Sequence, residues 1–229
     1  MNPVILDKGI IINFFKNIIM SNNSLWSKTT GGLYTAVLVQ TISGAAANLF
    51  LIISAIMIMS NPFSYALGGG YQTMSILTLI AGIGSLVGFI LFFMNITALK
   101  GLVNPQDAPA VSYIHTAMIL TIINAVLGII GTFVPFLSII VLILSIVALV
   151  FQIMGYSALK NSATFPTTAR EGAGKIFNAI IISLIGGFVA GIFILLVPVI
   201  SIIGYAAVIY AWVLQLQGWA LIAKSEAPM

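Results

Sequence analysis

The chain has 229 residues, of which 61% are hydrophobic and 5% charged, with a formal net charge of +4. Soluble domains carry about 25% charged residues, so this chain lacks the polar groups to cover a water-facing surface, and its solvent is a lipid bilayer. With no cysteine, a single histidine (His115) and only Asp7, Asp107, Glu171 and Glu226 as acids, it excludes disulfide and thiolate chemistry, and it has little material for a metal site or an acid/base pair.

The first stretch, Ile5 to Met20, is apolar but too short and too interrupted to cross a membrane. On a helical wheel Gly9, Asn13, Lys16 and Asn17 gather on one arc with Ile11, Phe14, Phe15 and Ile18 opposite, the pattern of a helix lying in the cytoplasmic interface. No basic region precedes the stretch and SNNSLW offers no small-residue cleavage site, so this start is expected to be retained.

Six apolar runs follow, near 33–59, 73–99, 111–133, 136–159, 176–197 and 199–222, each about the 20 residues that a crossing helix needs. Pro135 divides the third run from the fourth, and Pro198 divides the fifth from the sixth, because proline breaks a helix interior. The fold class expected is an all-α integral membrane protein of six transmembrane helices, arranged as parallel hairpin repeats behind an N-terminal interfacial helix. Its organisation reads as a cytoplasmic segment over 1–32, a six-helix domain over 33–223 with hairpins near 33–100, 111–160 and 175–223, and a short tail over 224–229.

The first external connection, SNPFSYALGGGYQT, is the longest and carries three consecutive glycines, which makes it the candidate external contact or lid. The later ones, TFVPFLS and LLVPVIS, are apolar, unlike ordinary water-exposed turns. GAGK at 172–175 lacks the spacing of a phosphate loop and reads as a flexible linker ahead of the fifth span.

Lys8, Lys16 and Lys28 precede the first run, Lys100, Lys160 and Lys224 follow the even-numbered runs, and Arg170 and Lys175 lie in the fourth connection. All the basic residues therefore share one side, and the positive-inside rule places both termini in the cytoplasm.

Part of the chain is written twice. Aligning Pro135 with Pro198, an offset of 63 residues (135 to 198), brings Gly128, Gln152 and Gly155 onto Gly191, Gln215 and Gly218, with Tyr156 facing Trp219. A weaker third copy ends at Ala98, Leu99 and Lys100, matching Ala158, Leu159 and Lys160. Because each unit contains two crossings, the copies keep one orientation, unlike the inverted repeats of many transporters.

Three groups of residues are candidates for function. Gly84, Gly88, Gly128, Gly187 and Gly191 are of the small type that lets helices approach closely in lipid. The amides Asn48, Asn124, Gln152 and Gln215 either bond between helices or line a polar path. Lys100, Lys160, Arg170, Lys175 and Lys224 are placed to touch anionic lipid headgroups. His115 beside Tyr113 reads as an interfacial anchor, since no second metal-binding side chain stands near it in sequence.

No ionisable residue lies at mid-span, which argues against ion-coupled transport. The expected function is that of a non-enzymatic membrane protein, a structural or assembly subunit of a membrane complex or a homo-oligomer. The alternative is a channel or passive transporter with an amide-lined path. The partners expected are the lipid bilayer and other membrane subunits or a second copy of this chain; no metal, cofactor or nucleic acid is expected.

Overall fold

The computed structural model describes residues 8–60, 69–131, 134, 136–196 and 198–228. It contains six helices: α1 (Lys8–Ser60), α2 (Gly70–Leu99), α3 (Ala108–Gly131), α4 (Leu137–Asn161), α5 (Thr167–Leu196) and α6 (Pro198–Lys224). Each carries a stretch long and apolar enough to cross a bilayer, and no strand occurs among the described residues. The protein is an all-α, multi-pass integral membrane protein.

The helix ends follow local chemistry. Gly69, at the N-terminal cap of α2, has φ +76°, a left-handed conformation that glycine adopts without steric cost. Pro198 opens α6, where its missing N–H removes no intrahelical bond. Pro135 lies outside the described residues, but α3 ends at Gly131 and α4 begins at Leu137, on either side of it.

Two segments that the sequence sets apart from the spans, the N-terminal stretch and GAGK, run on into the crossing helices. Helix α1 runs unbroken for 53 residues, about 80 Å at 1.5 Å per residue. A surface-lying helix and a crossing one need a turn between them, and α1 has none from Lys8 onward, with no proline in that range to impose one; Ile5 to Asp7 lie outside the described residues. GAGK is no linker either, because α5 already begins at Thr167 and both Gly172 and Ala173 are buried. Gly172 packs against Gly218 and Ile222 of α6.

Consecutive helices pair as antiparallel hairpins, α1 with α2, α3 with α4 and α5 with α6. The hairpins meet through α2–α3, α4–α5 and α6–α1, which closes them into a ring, with α2–α3 the slightest of the three junctions. Among the described residues no helix backbone packs directly on one across the ring.

The hairpin seams are built from small residues. In the α5–α6 hairpin, Gly172 faces Gly218 and Gly186 faces Gly204, with buried Ala179 and Ala211 between them. Each of these positions lies seven residues from the next on its own helix, the period that keeps one face turned to a slightly coiled partner. A Cβ on Gly218 would lie 2.6 Å from the carbonyl oxygen of Gly172 and from Cγ1 of Ile176. The same arrangement recurs at Gly155 against Ala110 and Ile114, and at Gly88 against Ala36 and Gln40. Backbones this close gain dispersion contacts that stand in for the hydrophobic effect absent between helices in lipid.

The large buried side chains gather at the basic end of the ring, where Trp26, Leu33, Ile96, Leu99, Ile114 and Leu159 are all 2% exposed or less. Trp26, inside the 1–32 segment, already belongs to this core. In the other half, burial among the described residues is confined to small seam residues such as Ala81, Ala190 and Gly204, and Ile80, Ile129, Ile139 and Phe188 are exposed. The ring is closed at its basic end and opens toward the other.

Candidate functional site: a central polar cavity

Just above the closed end lies a cavity of about 140 Å³ to which all six helices contribute. Its polar lining is Gln40 from α1, Thr121 from α3, Gln152 and Tyr156 from α4, and Gln215 from α6. Phe89 and Phe92 of α2 complete the wall, with Ile114 and Ile176 below. The inward positions arise from the seams: once the small faces of each hairpin are spent on the partner helix, the next face turns to the ring centre.

Beneath this layer the floor is apolar. Trp219, 1% exposed, meets Phe92 edge-on at 5.2 Å and Tyr156 at 6.2 Å, and its indole N–H is buried without an acceptor among the described residues. Below it Trp26 donates its indole N–H to the carbonyl oxygen and Oγ of Ser225, at 3.0 and 3.1 Å. Phe165, from the connection between α4 and α5, abuts Trp26 at 6.0 Å. The Ala227 N–H donates to Oδ1 of Asn23 at 3.0 Å, so α1 and the segment after α6 are clasped together.

A second polar tie lies at the same end. Asp107, 3% exposed, accepts hydrogen bonds from Oγ of Ser162 and from Oγ1 of Thr164, the latter at 2.8 Å. The backbone N–H groups of Thr164 and Phe165 in turn donate to Oγ of Ser162, at 3.1 and 3.2 Å. A buried carboxylate is held here by hydroxyl donors, which joins the α2–α3 connection to the α4–α5 connection.

The four amides singled out by sequence take three different roles. Asn48 is exposed and donates to the carbonyl of Gly44 on its own helix at 2.8 Å. Asn124 donates to Oγ of Ser145 at 2.7 Å, across the α3–α4 seam, while its Oδ1 is buried without a partner among the described residues. Gln152 and Gln215 face the central cavity, so the structure brings together only this pair of the four.

The glycines divide likewise. Gly88 is packed against Ala36 and Gln40, and Gly84 against Ser43. A Cβ on Gly128, Gly187 or Gly191 would meet nothing within 4 Å among the described residues; on α5 the seam runs through Gly186, one residue and about 100° from Gly187 around the helix.

Of the basic residues, Lys160 sits 3.4 Å over the Phe177 ring, Lys175 donates to Oε1 of Gln217 at 2.9 Å, and Arg170 donates to Oγ1 of Thr167 at 3.0 Å. Lys100 and Lys224 are exposed at the ends of their helices. His115 stacks on Phe93 at 5.0 Å, bridging α3 to α2.

Gln40, Thr121 and Tyr156 complete the cavity but were not among the sequence candidates. Their signal is positional: Gln40 and Thr121 each follow a buried seam alanine, Ala36 and Ala117, by four residues, one turn on.

The chain matches no protein-family model, no curated protein and no solved structure, so its function has to be argued from these residues alone.

Proposed function

We propose that this is a non-enzymatic membrane protein built from three copies of one helical hairpin, with both termini in the cytoplasm, which works by association as a structural or assembly subunit of a membrane complex or as a homo-oligomer. The observation that carries this reading is on α5. Gly187 and Gly191 lie one turn apart, and a Cβ on either would meet nothing within 4 Å among the described residues, whereas the glycines that do have close partners line the hairpin seams. In lipid, a pair of small residues at this spacing lets another helix approach closely. The basic end, with Lys100 and Lys224 exposed, suits a leaflet of anionic headgroups.

The three-copy reading is supported by matching burial. Leu33, Ile114 and Ile176 are buried on the first helices of the hairpins, as are Ile96, Tyr156 and Trp219 on the second.

Gentle extraction in native lipid followed by mass measurement tests association. A complex heavier than one chain, with foreign subunits or further copies, is the expected result, and Gly187→Leu with Gly191→Leu should return it to a single chain. A single chain from the unaltered protein would end this reading.

The amides Gln152 and Gln215 favour a second reading, a channel or passive transporter. They face the central cavity and form no hydrogen bond among the described residues. Solute flux through liposomes, reduced by Gln152→Leu and Gln215→Leu, is the result this reading requires.

A further inference from the structure

The central cavity does not stand alone. A second space of about 270 Å³ adjoins it, bounded by α4, α5 and α6, and the two share Gln152, Ile180 and Gln215. Beyond the shared residues its walls are Leu149, Ala179, Ala211 and Trp212 with the hydroxyl-bearing Ser183, and it reaches Leu184, which is 47% exposed on α5. A polar chamber at the ring centre thus adjoins, at two glutamines, a groove lined by aliphatic and indole side chains together with Ser183, which reaches the exposed Leu184.

The chemistry of the two spaces selects a ligand. Three amides, each offering donors and an acceptor, and the Tyr156 hydroxyl, which has no hydrogen-bond partner among the described residues, suit hydroxyl or ester oxygens. Among the described residues no ionisable acid or base lines either space apart from that phenol, so a charged head would be stripped of water without a counter-charge. A cavity of about 150 Å³ holds a benzene-sized molecule, so the central chamber takes a head of about six non-hydrogen atoms. Its apolar floor of Phe92, Tyr156 and Trp219 stops the head from passing through.

We propose that the ring binds one molecule of an uncharged lipid of the monoacylglycerol type, with its hydroxylated head among Gln40, Gln152, Gln215 and Tyr156 and its acyl chain along the groove between α4 and α5–α6. This goes beyond association, and it makes the amides a seat for a ligand where the second reading makes them a path.

Native mass spectrometry of the full chain, released from neutral detergent micelles and titrated with monooleoylglycerol, tests it. One saturating adduct per chain is expected, with oleate binding at least tenfold more weakly because its carboxylate meets no counter-charge. Gln152→Met with Gln215→Met, which keeps side-chain length while removing the amides, should weaken the adduct tenfold or more. Leu149→Trp, which fills the groove from its wall, should weaken it independently, and lipid-facing Ile139→Ala should leave it intact. Absence of a saturating adduct, equal binding of oleate, a ladder of adducts without a stopping point, or indifference to both cavity variants would overturn the proposal. The oligomeric mass is read from the same spectra, so loss of the adduct and loss of association register separately.

Discussion

A methyl group added at Gly218 meets the carbonyl oxygen of Gly172 and Cγ1 of Ile176 at 2.6 Å each, and a carbonyl inside a helix cannot retreat without moving its turn. Overpacking of this kind costs about 1–3 kcal/mol. Gly218→Ala should therefore lower the thermal midpoint of the detergent-solubilised protein clearly. Gly191→Ala, where the same methyl meets nothing within 4 Å, should change stability by less than about 0.5 kcal/mol. Two glycines of similar appearance in sequence are thus set apart by one measurement. A comparable contrast belongs to Trp26, whose N–H serves both oxygens of Ser225. Trp26→Phe keeps most of the ring but orphans those acceptors, and a loss of about 1 kcal/mol is expected. An unchanged midpoint in Trp26→Phe would mean that the clasp rests on packing and on the Ala227–Asn23 hydrogen bond rather than on the indole N–H.

At the scale of helices, the one-residue precision of the seams decides what an insertion does. Gly218 follows Gly172 by 46 positions (172 to 218), whereas Gly155 follows Ala110 by 45 (110 to 155), although both pairs make the same contact. The hairpins therefore absorb one residue between seam partners without losing the seam. An alanine inserted after Phe136, at the exposed start of α4, should be tolerated, while one inserted after Ala211 turns Gly204 by about 100° relative to Gly218 and unseats one of them. Size-exclusion profiles of the two variants should differ, with the α6 insertion polydisperse. This also explains what was legible beforehand. Six crossings are visible in hydropathy because each run is bounded by a basic residue, a proline or a polar connection. The offset of 62 that relates Ala110 to Gly172 is hidden, because in an isoleucine-rich stretch an ungapped offset of 63 finds matches too. GAGK is misread for a related reason: glycine means a flexible segment in water, but a close helix contact in lipid. The cavity was half legible, since Gln152 and Gln215 stand out as repeated amides, while Gln40 and Thr121 acquire meaning only once the seam fixes which face turns inward.

For the whole molecule, the absence of native cysteine makes every introduced thiol unique. Gln106→Cys lies in the connection between α2 and α3, and Phe136→Cys is 66% exposed in native form, at the opposite end of the ring. With the proposed orientation, a membrane-impermeant thiol reagent applied to intact cells should label the Phe136→Cys protein and spare the Gln106→Cys protein, and the pattern should invert in inside-out vesicles. Labelling of Gln106→Cys in intact cells would reverse the topology.

The closure of the ring sets an order on biogenesis. Every hairpin seam joins neighbours in sequence, so each pair can zip together as it leaves the translocon, at little loop-closure cost. The α6–α1 junction is different, for Trp26 and Ser225 are 199 residues apart and cannot meet until all six helices have been inserted. Through most of its synthesis, then, the nascent protein is an open strip of hairpins with both edges exposed to lipid. The indole of Trp26 waits throughout without its partner, and the act that completes the bundle is also the one that first encloses the central chamber.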